Sequence, residues 1–441
     1  LPARWIGQRG TPVLGEFFKL RENGTTVRTE AVAGLTTFLT MAYIIFVNPE
    51  ILANAGMDKG AVFVATCLAA AAGSILMGLY ANYPIALAPG MGLNAYFTFG
   101  VVQGMHVTWQ VALGVVFVSS VLFFLVSAFR IRAIVIDAIP ASLKLGIAAG
   151  IGLLLAIIGL ENAGIVTADP ATLVTLGDLR SPRALLAAFG FVVILGLAYR
   201  RVTGALIVTI LLVAALGVPF GLTEFKGLAS APPPLAPTFL QMDISGALDV
   251  GLAGIIFAFL FVEFFDNTGT LIGVAQRAGF LDAQGRLPRL GRALMADSTA
   301  AMLGAALGTS PTTSYIESVA GVEAGGRTGL TAVVVGLLFI AAIFLAPLAA
   351  SIPAYATAPA LLYIACLMAR SLRDLNWDDI TEFGPAMATA IAIPLTFSIT
   401  HGIGFGFIAY AAGKLFAGRG GEVGAVVWAI AAAYVLKVAL T

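Results

Sequence analysis

The sequence predicts an all-α polytopic membrane protein of fourteen transmembrane segments, built as a 7+7 inverted repeat. Three observations predict it. Only 11% of the 441 residues are charged and 59% are hydrophobic, whereas a soluble domain is roughly 25% charged. Apolar runs recur from Val32 to Leu440, many of them near the ~20 residues that cross a bilayer as helix. Basic residues gather on one side when the chain is made to alternate across the membrane. The alternating ten-residue segments of a membrane β-barrel are not seen, and only helices and closed barrels can span, which leaves a helical bundle. Fifty glycines suit close helix contact in lipid.

The spans read from the sequence are 32–52, 60–80, 84–103, 108–129, 139–160, 184–199, 203–222, 247–274, 290–308, 311–325, 328–350, 355–372, 382–398 and 401–417. The first 30 residues are charged and mostly polar, so the first span is expected to act as its own insertion signal. With that segment in the cytoplasm, 18 of the 24 basic residues fall on the cytoplasmic side, from Arg4 and Arg9 through Arg130, Arg132 and Arg200 to Lys414 and Arg419. Lys59, Arg180, Arg183 and Lys226 fall outside, while Lys144 and Lys437 sit in or beside apolar runs. A miscounted span would spoil this asymmetry. A further apolar run, 424–440, reads equally as a fifteenth span, an interfacial helix or part of another division of the last third.

Two longer outer loops are expected, 161–183 and 223–246. Pro232, Pro233, Pro234 and Pro237 keep the second irregular. It divides the chain into halves of seven spans, and odd-numbered halves insert in opposite orientations, with substrate sites at their interface near midplane. Spans three and ten, third in each half, are matched. Each has proline and small residues first, and then a polar residue, Asn94 or Glu317. Such interrupted segments supply half-helices whose free N–H groups face a polar ligand.

Span eight carries two carboxylates, Glu263 and Asp266, in an otherwise apolar helix, followed by Asn267 and Thr268. Spacing i, i+3 places the two on one face. Glu317 is a third acid inside a span. Ionisable groups at membrane depth mark substrate or ion pathways; the structural alternative is a hydrogen bond to a neighbouring helix. Low dielectric disfavours the charged form of such an acid, so these groups suit proton exchange as access alternates. Sodium is the second candidate, since carboxylates and Asn94 also suit a hard cation. A flat heterocycle edged with N–H groups would satisfy a carboxylate and stack on Phe97, Phe264, Phe265 or Tyr315. Acids disfavour an anionic substrate.

Other features carry less. Asp297 in span nine reads as core support or as a structural hydrogen bond. His106 and His401 receive no role, and Asn48 beside Pro49 is placed at an interface. Cys67 and Cys366 read as two small buried residues, neither disulfide framework nor metal site. No metal, cofactor or nucleic-acid site is expected, and no nucleophile–base pair suggests an enzyme.

Leu35–Pro49 in span one, Ala88–Phe97 in span three and Gly308–Ser318 in span ten resemble AzgA-type adenine/guanine/hypoxanthine permeases of the nucleobase–ascorbate transporter superfamily, which includes uracil permeases. The resemblance runs from about Glu16 to Leu415. It implies a secondary active importer of purine bases coupled to protons, in the cell inner (plasma) membrane with its N-terminus cytoplasmic; the alternatives are another nucleobase (xanthine or uracil) or uncoupled passage. It implies short strands in spans three and ten, a homodimer and elevator-like movement of a core (31–130 and 247–350) against a gate (131–222 and 351–417). Residues 418–441 are left unplaced. Together with the reading of the residues above, it assigns substrate binding to Glu263, Glu317, Asn94, Phe264, Tyr315 and Thr268, and coupling to Glu317, Asp266 and Glu263. Glu263 departs from the aspartate of the family pattern, which bears on the choice of base.

Overall fold

The computed structural model describes residues 12–129, 140–249, 252–282 and 286–440. Arg4, Arg9, Arg130 and Arg132, counted above on the cytoplasmic side, lie outside these. After a short α1 (Pro12–Phe17), α2 (Val27–Met41) begins at Thr26, whose hydroxyl accepts the Thr29 N–H as an N-cap. A break at Ala42–Tyr43 separates it from α3 (Ile44–Ala53). Pro49 lies inside α3, and Asn48 is fully buried, so the expected interface position of Asn48 is corrected. α4 (Lys59–Leu76), capped by Asp58, widens into a π turn at Met77–Ala81.

Span three is no continuous helix. Strand β1 (Leu87–Pro89) leads into α5 (Met91–Ala95) and a π-helical stretch, Tyr96–Gln103. Next come α6 (Trp109–Ala128), α7 (Ala141–Asn162), α8 (Pro182–Tyr199) and α9 (Ala205–Gly217). The loop between α7 and α8 folds as a hairpin, β2 (Val166–Asp169) and β3 (Leu173–Leu176), which the sequence reading missed.

The second half opens with α10 (Ile244–Ala247), the long α11 (Ala253–Ala278) and α12 (Leu290–Leu307). Strand β4 (Thr312–Ser314) and the six-residue α13 (Ser318–Glu323) make up span ten. Then follow α14 (Gly329–Ala342), α15 (Ala346–Ala350), α16 (Ala354–Ala369), α17 (Ile380–Thr396), α18 (Ile399–Phe416) and α19 (Ala425–Leu440).

Among the described residues, eight helices are long and apolar enough to cross a membrane, and Ala205–Phe220 is a shorter apolar one. Length and hydropathy therefore support a multi-pass helical membrane protein without reaching the count of fourteen. Spans three and ten fall short because prolines 84, 89 and 311 interrupt them.

β1 and β4 pair antiparallel, Leu87 with Ser314, Ala88 with Thr313 and Pro89 with Thr312. The Gly90 and Tyr315 N–H groups extend the ladder to the carbonyls of Pro311 and Ala86. Backbone that leaves a helix inside an apolar bundle must find partners there, and each interrupted segment supplies those of the other. Small residues allow the surrounding helices to close. Where the end of α4 crosses the start of α14, a Cβ on Gly329 would lie 2.0 Å from the Gly78 carbonyl oxygen.

The helices pack in two groups. α14 lies on α4 and α2, and α12 on α6 and α4; α7 lies on α16 and α17, and α17 on α18. Glu30 of α2, fully buried, accepts the N–H groups of Arg327, Thr328 and Thr331 and the Thr331 hydroxyl, capping α14 from a distance. In the second group the buried Lys414 meets Glu382 at 2.7 Å and Glu422 at 3.0 Å, and Arg419 bonds Asp379 and Glu422. This tie fixes the turn after α18, from which α19 runs back along it. Cys67 is buried as expected, but Cys366 is exposed.

Candidate functional site

Between the two groups lies a cavity of about 940 Å³, toward the upper end of the usual range for small-molecule sites. Its walls are Gly92 and Leu93 of α5, Lys144 to Ile151 of α7, one face of α11, Ile316, Met368, and residues of α18 and α19. Most of the lining is apolar, with Phe257, Phe261 and Phe407 among it. Asp266, Thr268, Thr270 and Lys144 supply polar groups. Lys144, near the start of α7, thus lines the cavity.

The two acids of α11 diverge. Three residues of α-helix turn the side chain by about 300°, leaving the pair about 60° apart, and that offset puts them in different surroundings. Asp266 is exposed to the cavity. Glu263 is buried against α6, where the hydroxyls of Ser119 and Ser120 donate to its carboxylate at 3.5 and 3.4 Å. The expectation of one shared face is corrected accordingly, and Glu263 is not among the cavity-lining residues. Phe264 is buried edge-on to Phe123 and packs away from the lining, in the α6 side of the core.

Glu317 stands just before α13, where the interrupted segment resumes as helix. The Tyr43 hydroxyl donates to its carboxylate at 2.7 Å. Tyr43 can reach it because α2 and α3 break at that residue. Tyr315, expected against a ligand, instead donates its hydroxyl to the Pro89 carbonyl at 2.5 Å and clamps the strand crossing. Asn94 is also turned inward: its Nδ2 donates to Asn48 Oδ1 at 3.0 Å. Asn48 in turn donates to Thr66 and Thr309 and accepts from Ser310. This network ties α3, α4, α5 and the β4 segment together. Thr268 lines the cavity, its hydroxyl bonded to the Phe264 carbonyl one turn back. Of the six residues assigned to substrate binding, Thr268 is the one found on the cavity wall; Asp266, assigned to coupling, joins it.

Behind the cavity, Ser314 of β4 donates its N–H to Asn267 Oδ1 and its hydroxyl to Asp297 Oδ1. Asn267 Nδ2 and Asp297 Oδ2 are buried without a protein hydrogen bond. Asp297 thus makes the expected structural bond with only one of its two oxygens. The acids form a string within coulombic reach of one another, Glu263 with Asp297, Asp297 with Asp266, and Asp266 with Glu317. Asp297 was the member hardest to read, because serine and threonine around it made the segment look merely polar.

Residues 28–405 match the Permease family, Xan_ur_permease. The chain is 50% identical to the adenine permease AdeP of Escherichia coli (strain K12) over 429 residues, 97% of this chain and 96% of that protein. It is 46% identical to the guanine/hypoxanthine permease PbuG of Bacillus subtilis (strain 168) over 432 residues, 95% of this chain and 98% of that one. Among solved structures it is similar to the transmembrane domain of the cyanobacterial bicarbonate transporter BicA, with TM-score 0.65 at 15% identity, covering 86% of this chain and 97% of that domain. It is likewise similar to murine Slc26a9, with TM-score 0.61 at 10% identity over 94% of this chain and 74% of that one. At such identities the likeness is one of fold.

Proposed function

The chain belongs to the Permease family, within the nucleobase–ascorbate transporter superfamily, as a multi-pass membrane transporter, and on that premise we propose that it imports purine bases (adenine, guanine and hypoxanthine) by proton symport. The observation that carries the reading is the position of Asp266: one carboxylate on the wall of a largely apolar cavity between two helix groups, which Thr268 and Lys144 also line. A purine offers N–H groups along its edge, which a carboxylate accepts, and two faces, which rings such as Phe261 cover. Water excluded from such a site strengthens the bond. The fold is shared with a bicarbonate transporter; the Asp266 carboxylate favours an N–H-edged base over an anion, and Lys144 on the same wall is of the opposite sign.

Glu317 is assigned to coupling. Protonated, its carboxyl would be neutral, and the Tyr43 bond would be remade with the acid proton in play. Glu263 is assigned a supporting place in the same string, and Asn94, Tyr315 and Phe264 hold the frame that aims α11. In this reading fourteen segments span with the N-terminus cytoplasmic, and the core moves elevator-fashion against the gate within a homodimer.

The test is uptake of labelled adenine and hypoxanthine into proteoliposomes, with and without an inward proton gradient and with guanine, xanthine and uracil as competitors. Purines should compete, and the gradient should drive accumulation. Asp266→Asn should weaken binding by about a hundredfold, the scale of a lost hydrogen bond to a charged group. Preferential uracil transport, or wild-type binding by the Asp266 variant, would defeat the assignment.

A further inference from the structure

The last helix described, α19, lies beyond the residues that match the family, yet Val426, Ala429, Ile430 and Tyr434 line the same cavity as Asp266. These positions recur at helical spacing and so form one stripe. Tyr434 is the large member of the stripe, and three features of α18 hold it. His401 Nδ1 lies 2.6 Å from its hydroxyl. Phe405 meets its ring edge-on at 6.0 Å between centroids. Gly404 leaves room for the ring to lie against the helix: a Cβ there would stand 2.4 Å from two of its carbons. A side chain fixed at its tip, edge and face is a wall of defined position, while the alanine and aliphatic residues around it make few demands.

We infer that Tyr434, set by His401 and Gly404, is a specificity-determining residue that fixes how large a base the cavity admits. The inference rests on the reading of the cavity as the purine site. Within it, Asp266 recognises the polar edge of the base, and the Tyr434 ring limits the room left for substituents elsewhere on it. The mechanism is steric and belongs to a helix whose place the sequence left open. A pocket boundary of this kind discriminates by roughly ten- to hundredfold per added or missing small group.

The experiment measures competition against labelled adenine in proteoliposomes of the full chain, using unlabelled adenine, hypoxanthine and an N9-alkylated purine, for wild type, Tyr434→Phe, Tyr434→Ala and Gly404→Ala. Tyr434→Ala should improve the apparent affinity of the alkylated purine about tenfold relative to that of adenine. Gly404→Ala displaces the ring, since a Cβ there would clash with it, and should weaken adenine about tenfold, a change in KM rather than in maximal rate. Tyr434→Phe keeps the ring and should keep the wild-type competitor order. An unchanged order in both alanine variants overturns the inference. If Tyr434→Ala is not recovered folded, Gly404→Ala and Tyr434→Phe decide: weakened adenine in the first beside an unchanged order in the second supports the inference, and wild-type adenine affinity in Gly404→Ala overturns it. Failure of the wild-type protein to bind any purine overturns the functional reading instead.

Discussion

Four acids in apolar surroundings show how neighbours decide what one side chain does. Glu30 is fully occupied, capping α14 with four donors, and has a structural use. Glu263 takes two hydroxyls from α6. Asp266 faces the cavity, and Glu317 is held by one phenol. That Glu263, Asp266 and Glu317 matter was legible in the sequence, because a carboxylate in an apolar helix is costly; Glu30 was not, because it fell in the charged segment before the first span. Which way each points was not, because 60° of helix rotation decides it and the neighbouring helix is a tertiary fact. Asn48 was misread for a similar reason: beside Pro49 it looked like a helix end, whereas the chain stays helical through the proline. Tyr43 permits a sharp test. Tyr43→Phe removes the side-chain donor to the Glu317 carboxylate found among the described residues without adding bulk; gradient-driven accumulation should fall by roughly ten- to hundredfold, the scale of a hydrogen bond to a charged group, while adenine affinity measured without a gradient stays near wild type. Equal losses in both measurements would separate Glu317 from coupling.

At the scale of elements, the interrupted segments were predictable and the terminal hairpin was not. Pro89 and Pro311, at corresponding places, broke the helices where the strands formed. Nothing in 424–440 distinguished a spanning helix from an interfacial one, since its cavity contacts exist only once α18 has turned back. The turn that does this is built from charge. Hydrogen bonds from Arg419 and Lys414 hold the Glu422 carboxyl down to about 2 from its ordinary 4.5, and those from Thr381 and Arg419 hold Asp379 below the usual carboxylate range. A carboxyl whose native value is lowered contributes its stability in full above the unfolded value and loses it as pH falls toward the native one. The α18–α19 turn should therefore be protected to the same degree at neutral pH and at pH above about 4.5, and loosen between that value and about 2. Hydrogen exchange of residues 414–424 across this range checks it; protection that persists at the acid limit would mean the ion pairs contribute nothing, as exposed pairs sometimes do. High salt should act in the same direction as acid.

At the scale of the whole molecule, the composition was enough to place the chain in a membrane, and charge bias gave an orientation that can be tested directly. With native cysteines 67 and 366 replaced, an impermeant maleimide applied to intact cells should label Asp178→Cys, in the loop after the β2–β3 hairpin, and spare Asn23→Cys, before α2. Labelling of position 23 instead would invert the topology. The two helix groups and the cavity between them followed less readily, because they depend on which apolar faces meet and every face here is apolar. That same cavity has a consequence for how the protein is made. Its lining is drawn from residues as far apart in synthesis as Gly92 and Tyr434. A nascent chain that has passed α11 through the insertion machinery holds Asp266 with part of its enclosure still on the ribosome. An acid at the centre of a lone helix costs about 3 kcal/mol on insertion scales, so α11 has reason to wait beside the translocon, or against helices already docked, until α18 and α19 arrive. Chains interrupted before residue 425 would leave this surface uncovered, and membrane quality control would meet them as unfinished protein.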